Sequence, residues 1–433
     1  MKRIQTSLVI FGFSLSLFIV GCKKTDMPAD KRSQPSHAAD MLSNQVILDW
    51  NNAAFLAEGG ATLQHALLAV RSDAMVHIAM HDAINAVNPL YKSYALHQQQ
   101  AAGDPIAAAA TAAHRVLLAL WPDNAAMLNA QLDASISGIP AGAEKTNGIA
   151  AGIAAANAIL ALRASDGAYQ NPISFIPVST VPGVYNSVPP NLFVFAEFWK
   201  TMPLFSLSSH DQFRSPPPPA LHTGAYANGF NEVKAYGEAN SAVRSQDQTD
   251  YARWWYEFSN IGWNRIARIK AAGSSLGLYN TARMFALLNM AMADSYTAGW
   301  DSKFFYNFWR PYTAIQAAAN DGNNKTEPDP NWVSEMITPP IPDYPSTHST
   351  LGNAAATVLI QFFGENSGFT SISTTSVPAN MPRTFKSLMQ AADENANSRV
   401  MAGIHFPFAC KAGQKMGDQI GKWTVQHHLE RLK

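Results

Sequence analysis

The sequence predicts an all-α protein built around one large helical-bundle domain. Apolar residues recur at spacings of three and four through most of the chain, strand-like alternation is rare, and Ala is abundant. Charged residues make up 14% and hydrophobic residues 47% of the 433 positions, which excludes a disordered chain and a highly charged coiled coil. Lys plus Arg and Asp plus Glu are both 31, so the chain lacks the basic excess expected of a general nucleic-acid binder.

The first 22 residues have the pattern of a bacterial lipoprotein signal peptide. Lys2 and Arg3 form a basic head, and Ser7–Val20 is an apolar run that is short for a spanning helix. Cys22 follows the small residue Gly21. This ending resembles the bacterial lipobox, in which a small residue precedes the cysteine that becomes the lipidated first residue of the mature protein. We therefore expect export, with an anchor at Cys22 in the cell envelope, in the periplasm or at the outer membrane. An ordinary signal peptide with a chance cysteine is the alternative.

After the signal, residues 23–42 are polar and contain Pro, which predicts a tether, and residues 43–433 are expected to form one all-α domain. Two irregular stretches, Asp166–Leu221 with ten prolines and Asn320–Pro345, interrupt the helical pattern, and loops of this length are often functional. Apolar spacing predicts helices over Ser43–Glu58, Gln64–Val87, Pro105–Leu120, Ala125–Ile136, Thr146–Ala164, Ala225–Glu238, Gln246–Ala272 and Ala282–Ala298.

The segment KFFYNFWRP carries two cations, Lys303 and Arg310, seven residues apart. Seven residues are close to two helical turns, so the spacing predicts both side chains on one face of a helix that kinks or ends at Pro311. Burying cations among aromatic side chains is costly unless an anion compensates them, which predicts an anion site. Two surface cations lying along apolar surface would give the same pattern.

The segment PDYPSTHSTLGNAAA predicts the start of a helix at Ser346 and Thr347, where hydroxyl residues are favoured as caps. The free N–H groups and the positive dipole end of such a terminus bind oxyanions. His348 lies in the first turn, where it could carry out acid–base chemistry beside the anion. A capped helix with an incidental His is the structural alternative.

The segment SRVMAGIHFPFA contains Ser398, Arg399 and His405. On an unbroken helix the side chains of Arg399 and His405 would point about 120° apart. Gly403 and Pro407 predict that the helix ends between them, which would let both side chains point inward. A helix terminus whose Arg and His bind its last carbonyl groups is the alternative.

Together the three segments resemble the superfamily of vanadium-dependent haloperoxidases and type 2 phosphatidic-acid phosphatases. Its pattern is Lys-x6-Arg-Pro, then Pro-Ser-Gly-His, then Ser-Arg-x5-His. Nine of ten positions agree here, with both internal spacings kept, at Lys303, Arg310 and Pro311, then Pro345, Ser346, Thr347 and His348, then Ser398, Arg399 and His405. The segments RSDAMVHIAMHDAINAV, WDSKFFYNFWRPYTAI and SRVMAGIHF are similar to the bacterial haloperoxidase branch. Thr347 departs from the pattern, which has Gly there, and is expected either to crowd the anion or to add a hydroxyl donor.

The resemblance implies an enzyme that holds vanadate and uses hydrogen peroxide to oxidise halide, with an organic acceptor receiving the halogen. His405 would supply the nitrogen that bonds to vanadium, His348 would be the acid–base catalyst, and Lys303 would polarise bound peroxide. Phosphate can occupy the same site. The family also allows a homodimer, and the lipid anchor would be the sole membrane contact. The resemblance implies that the anion is bound by Lys303, Arg310, Ser346, Thr347, Arg399 and His405.

Three further expectations remain open at the level of sequence. An acid phosphatase that acts through a phosphohistidine at His405 needs the same residues, and a lipoprotein that binds the oxyanion without turnover is a further alternative. Ile341, seven residues before His348, stands near a point where chloroperoxidases of the family have an aromatic residue, which favours bromide or iodide over chloride. Asp294 and Glu257 are candidates for carboxylates that orient Arg310 or Arg399.

Overall fold

The computed structural model of the chain describes residues 42–63, 65–99 and 102–433, which belong to one compact unit. The predicted signal peptide, its Cys22 and nearly all of the tether lie outside the described residues. The described chain is mainly helical, as predicted. Its α-helices are α1 Gln45–Ala57, α2 Ala66–Val87, α3 Pro105–Leu120, α4 Ala125–Ile136, α5 Ala143–Leu162, α6 Gly224–Tyr236, α7 Gln246–Trp254, α8 Ser259–Ala272, α9 Leu278–Tyr306, α10 Pro311–Gln316, α11 Thr347–Phe363, α12 Leu388–Met401 and α13 Pro407–His427.

Two short antiparallel pairs of strands accompany the helices in the described chain. Strand β1 (Ile173–Ser174) pairs with β2 (Val194–Phe195) inside the first proline-rich stretch. Strand β3 (Phe369–Ser371) pairs with β4 (Arg383–Phe385) between α11 and α12. None of the described helices is long and apolar enough to cross a membrane.

Helices α3 and α4 begin and end at the predicted residues. The prediction of one helix over Gln246–Ala272 is wrong. The chain leaves the helix after Trp254 and begins α8 at Ser259. In the break, the carbonyl of Trp255 accepts a hydrogen bond from Arg399, and the carbonyl of Glu257 lies 3.1 Å from His348 Nε2. The interruption therefore provides backbone acceptors to two of the predicted site residues, which apolar spacing alone does not reveal.

Glycines on one face of α13 allow it to lie directly against α11. A Cβ atom added at Gly413 would lie 2.3 Å from the carbonyl oxygen of Ser346, and one at Gly417 would lie 2.0 Å from that of Thr350. Real Cβ atoms do not approach so closely, so only glycine fits at these crossings. α11 also packs on α9 and α12. Helices α9, α12 and α13 therefore surround α11, and α9 and α12 carry the predicted site residues Lys303 and Arg399.

Candidate active site

Lys303 and Arg310 are both fully buried, but they do not share a helical face. Helix α9 ends at Tyr306, and Asn307 adopts a left-handed conformation (φ 46°), which Asn tolerates better than most residues. Arg310 is the residue before α10, whose first residue is Pro311. The one-face prediction is therefore wrong, because the chain turns between the two cations and brings them together from different elements.

The proline-rich stretch holds this turn in place through backbone hydrogen bonds. The N–H of Tyr185 donates to the carbonyl of Asn307, and the N–H of Trp309 donates to the carbonyl of Gly183. The Asp166–Leu221 loop thus supports the segment that positions Arg310.

Ser346 directly precedes α11, as predicted, and its side chain makes no cap to the first turn. The Ser346 N–H donates to the carbonyl of Ala409 at 3.0 Å, which ties the start of α11 to α13. Its hydroxyl oxygen accepts a hydrogen bond from Ser349 at 3.0 Å, and its own hydrogen can be donated to an anion or to the neighbouring Cys410 sulfur. The N–H groups of the first helical turn have no intrahelical acceptors, which makes this terminus suitable for an anion.

Helix α12 ends at Met401, so the predicted helix end before His405 is confirmed. Gly403 has a φ of 75°, a conformation that glycine adopts at little cost, and α13 begins at Pro407. The N–H groups of Ile404 and His405 both donate to the carbonyl of Arg399, at 3.2 and 3.3 Å. This tight turn brings the Arg399 and His405 side chains into the same buried region.

The three cations of the site are buried with little compensating negative charge. Lys303 Nζ donates to the carbonyls of Pro342 and Asp343, at 2.9 and 2.8 Å. Arg310 donates to the carbonyls of Ile341 and Ile404, both at 2.7 Å. In the described chain, the carboxylate that contacts this group is Asp343, 3.7 Å from Arg310. With all three basic groups protonated and Asp343 ionised, three cations face one carboxylate and the site carries an excess of two positive charges.

Several donors in this region have no acceptor within the described chain. Arg310 Nη2 and Arg399 Nε are buried without a hydrogen-bond partner. Orphaned charged donors are costly to bury, and an oxyanion would provide both the acceptors and the negative charge. Vanadate and phosphate are oxyanions of this kind, so the residues present fit the group that the sequence predicts.

His405 lies between Asp343 and Arg310. Its Nδ1 is 2.8 Å from Asp343 Oδ1, a close contact whose angle is not that of a well-formed hydrogen bond. Its Nε2 is 3.1 Å from Arg310 Nη1, and because a guanidinium can only donate, Nε2 is the acceptor and carries the lone pair. The proton then resides on Nδ1, beside the carboxylate, and Nε2 is the nitrogen able to bond to a metal centre.

Burial shifts the pKa values of the site toward the neutral forms of its bases. Burial, followed by the nearby Arg310, lowers the pKa of Lys303 and of His405 well below the usual ranges. Burial and then the charge of Arg399 lower the pKa of His348 in the same way. Burial raises the pKa of Asp343 to about 7, although Arg310 and Lys303 oppose that rise. Both histidines are therefore neutral near pH 7.

Asp343 is the site residue that the sequence reasoning missed, and the two carboxylates proposed for its role have other partners. Asp294 accepts hydrogen bonds from the N–H groups of Phe205, Ser206 and Leu207. Glu257 forms a two-point ion pair with Arg265, at 2.8 and 2.9 Å. The available signal was the position of Asp343 in the PDYP run, three residues before Ser346.

The side chain of Thr347 lies against α9. A Cβ atom added at Gly299 would lie 3.5 Å from both Oγ1 and Cγ2 of Thr347, which is an ordinary contact distance. Gly299 lies one turn before Lys303, so the absence of a side chain there leaves room for the larger residue. Thr347 Oγ1 is buried without a hydrogen-bond partner, which leaves a hydroxyl donor at the start of α11.

A cavity of about 360 Å³ leads to His348 and Arg399. Tyr256 also lines the cavity and stands beside Arg399, with the guanidinium carbon 5.5 Å from the ring centre. Ile341 is buried and is not among the residues that line this cavity, although its carbonyl binds Arg310.

Comparisons with known proteins show which proteins this chain resembles in sequence and fold. Residues 283–433 match the family model described as the second helical-bundle domain of vanadium chloroperoxidase. The vanadium chloroperoxidase of Curvularia inaequalis is 25% identical over an alignment that covers 79% of this chain and 69% of that protein. The crystal structure of the first bacterial vanadium-dependent iodoperoxidase has a TM-score of 0.75 at 25% identity, covering 90% of this chain and 98% of the other. A holo-type bacterial vanadium-dependent chloroperoxidase has a TM-score of 0.70 at 15% identity, with the same coverage. These matches confirm the resemblance predicted from the sequence, and the chain is a relative of the vanadium-dependent haloperoxidases.

Proposed function

We propose that this protein is an exported vanadium-dependent haloperoxidase that uses hydrogen peroxide to oxidise a halide to a hypohalous-acid equivalent. The observation that carries the proposal is the buried trio Lys303, Arg310 and Arg399 around the start of α11, beside His405 Nε2, which carries a lone pair and faces Arg310. An oxyanion would compensate the excess positive charge. The neutral imidazole nitrogen would bond to a metal centre within that oxyanion.

The cations and the helix terminus would hold vanadate. Arg310 Nη2 and Arg399 Nε carry N–H groups without an acceptor in the described chain. The Ser346 hydroxyl and the N–H of Thr347 lie at the positive, N-terminal end of the α11 dipole. Lys303 Nζ has used two of its three N–H donors on backbone carbonyls, so one remains for the anion or for bound peroxide.

The two histidines would perform different tasks. His405 would bond to vanadium through Nε2, with Asp343 holding its proton on Nδ1. His348, neutral at pH 7 and in contact with the carbonyl of Glu257, would accept and return the proton of peroxide. When bound, vanadate supplies a Lewis acid that activates peroxide without changing its own oxidation state. Halide, peroxide and one proton then give hypohalous acid and water.

Bromide or iodide is the proposed halide. The aliphatic Ile341 stands where the resemblance leads us to expect an aromatic residue in chloroperoxidases, and one structural relative is described as an iodoperoxidase. The relative from Curvularia inaequalis is described as a chloroperoxidase, so a halide panel is part of the test. Export and the lipid anchor at Cys22 are proposed from the signal sequence alone.

The function is tested with the full chain after loading with orthovanadate. Hydrogen peroxide is supplied with chloride, bromide or iodide, and a halogenatable dye reports turnover. We expect vanadate-dependent halogenation with bromide or iodide, and a loss of at least about 100-fold in His405→Ala, because the nitrogen ligand to the metal is removed. Chloride oxidised faster than bromide and iodide would overturn the halide assignment.

Parallel reactions of the vanadate-free protein with a phosphate monoester test the alternative. Hydrolysis that depends on His405, without any halogenation, would assign the protein as an acid phosphatase that forms a phosphohistidine. Binding of the oxyanion with neither activity would favour the non-catalytic lipoprotein. In that case Thr347→Gly would show whether the departure from the family pattern is the cause.

A further inference from the structure

The cavity above His348 is larger than peroxide and a halide ion require. Its volume of about 360 Å³ falls within the range of roughly 300–1,000 Å³ found for pockets that enclose small organic ligands. The reacting end lies at His348 and Arg399, so a molecule in this cavity would be adjacent to the site of halide oxidation.

Much of the cavity wall is apolar. Three separate parts of the chain contribute aliphatic, aromatic and proline side chains to it: the α1–α2 connection, the start of α8 and the Pro-rich loop before α11. These residues are Leu63, Phe258, Ile261, Ile337, Pro339 and Pro340. A hydrated halide gains nothing from such a wall, whereas an apolar organic molecule loses its exposed surface there.

Several polar groups of the wall are occupied, whereas Arg399 Nε and the Thr338 hydroxyl have no hydrogen-bond partner in the described chain. Glu257 is neutralised by Arg265 and also accepts hydrogen bonds from the N–H and hydroxyl of Thr374. Tyr256 donates its hydroxyl hydrogen to the carbonyl of Ile337 at 2.8 Å. Thr338 is among the residues that line the cavity and is 2% exposed, and its hydroxyl has no hydrogen-bond partner in the described chain.

An unpaired buried hydroxyl destabilises a protein unless a ligand completes its hydrogen bond. Within this wall, Thr338 is therefore suited to bind one polar group of a molecule whose remainder is apolar. The size of the cavity and its aromatic and proline surfaces suit a planar ring system.

We propose that the cavity binds the organic acceptor, an uncharged aromatic molecule with one hydroxyl or N–H group, and that halogen is transferred to this bound acceptor. This rests on the proposed haloperoxidase function. The acceptor C–H bond is replaced by a carbon–halogen bond, the halide loses two electrons, and the peroxide O–O bond is reduced. Acceptor, halide, peroxide and one proton thus yield the halogenated acceptor and two water molecules.

Binding of 2-naphthol to the full chain, measured by its fluorescence, tests the site without peroxide or halide. We expect saturable binding both with and without vanadate. Ile337→Trp, at the half-exposed mouth, should weaken binding at least tenfold. Val333→Trp is the matched control, because Val333 is similarly exposed, lies outside the cavity lining, and should leave binding unchanged.

Thr338→Val separates a ligand-binding role from a structural one. The substitution keeps the shape and removes an unpaired hydroxyl, so we expect binding about fivefold weaker and a melting temperature that is unchanged or higher. A lower melting temperature with unchanged binding of 2-naphthol would contradict the role of Thr338 as a ligand donor.

A competition between free 2-naphthol and 2-naphthol attached to dextran tests the transfer step. Treatment of the same mixture with reagent hypobromous acid gives the ratio of free to dextran-attached halogenated product that is expected for a diffusing oxidant. We expect the vanadate-loaded protein to favour the free acceptor at least tenfold over that ratio, and Ile337→Trp to remove the preference. Halogenation at the reagent ratio would overturn the proposal while leaving the haloperoxidase function intact. Saturable binding without any halogenation would contradict the function and, with it, acceptor transfer.

Discussion

Replacement of Asp343 by Asn is expected to lower vanadate-dependent halogenation by about 10–100-fold, the usual effect of removing a group that orients a metal-ligating histidine. Asp343 Oδ1 lies 2.8 Å from His405 Nδ1, and Arg310 approaches Nε2 from the other side. The carboxylate therefore favours the tautomer that carries its proton on Nδ1 and its lone pair on Nε2. An amide can offer either an oxygen or an N–H group to Nδ1, so Asn does not enforce that tautomer.

The same substitution should change the selectivity of the site between oxyanions. Phosphate is held by charge and hydrogen bonds, whereas vanadate is proposed to gain a bond from His405 in addition. Removal of a negative charge does not weaken the attraction for phosphate, so the ratio of vanadate to phosphate affinity should fall about tenfold or more. Binding is measured by equilibrium dialysis, with Asp343→Glu as the charge-preserving comparison.

Asp294→Asn is the control for loss of a buried carboxylate. Asp294 is also fully buried, but it accepts hydrogen bonds from the Phe205–Leu207 backbone and not from His405. We expect both variants to be less stable, by a few kcal/mol. Asp294→Asn leaves buried N–H donors without their charged acceptor, and Asp343→Asn leaves the buried Arg310 without its carboxylate. If Asp294→Asn lowered the vanadate-to-phosphate ratio as much as Asp343→Asn, the orienting role of Asp343 would be wrong.

Replacement of Arg399 by Met is expected to lower the affinity for vanadate and phosphate alike, by about 10–100-fold. A charge-assisted hydrogen bond contributes about 1.5–3 kcal/mol, and 1.4 kcal/mol corresponds to a factor of ten in affinity. Arg399 makes one hydrogen bond to the Trp255 carbonyl and leaves Nε unpaired, so its substitution disturbs few contacts of the fold. Equal losses for both anions distinguish this charge role from the role of Asp343.

Arg214→Met is the matched control for this second prediction. Arg214 pairs with Asp301 at 2.6 Å, at a partly exposed position away from the buried trio. The Arg214→Met substitution removes one positive charge and one ion pair. We expect the affinities for vanadate and phosphate to stay within about twofold of those of the unmodified protein, since partly exposed charges are screened by solvent. If Arg399→Met left both affinities unchanged, the buried cations would not form the anion site.

The sequence was sufficient to predict the mainly helical fold, the start of α11 and the end of α12. Apolar spacing and helix-terminus residues act over a few positions, so a linear pattern contains that information. The turn at Asn307 and the break between α7 and α8 were not predicted. Both interrupt segments whose local composition still suits a helix, and both are stabilised by contacts with distant parts of the chain.

The missed role of Asp343 has a similar physical cause. Asp294 and Glu257 were reasonable candidates because both were predicted to lie in helical segments beside aromatic residues, although Glu257 lies in the break between α7 and α8. Their actual partners, the Phe205–Leu207 backbone and Arg265, are set by packing that the linear sequence does not show. Asp343 reaches His405 because the Pro-rich loop before α11 passes over the turn between α12 and α13, and its N–H donates to the carbonyl of Phe308. The effect of Thr347 likewise depended on Gly299, a residue 48 positions earlier in the chain.

The most direct test of the central claim is the amount of vanadium and phosphate bound per chain at equilibrium, in the unmodified protein and in His405→Ala. We predict one vanadium atom per chain, with vanadate bound more tightly than phosphate because His405 Nε2 adds a bond that phosphate does not form. In His405→Ala the phosphate affinity should persist and the preference for vanadate should disappear. Equal affinities for the two anions in the unmodified protein, or an unchanged preference for vanadate in His405→Ala, would contradict the assignment of this site.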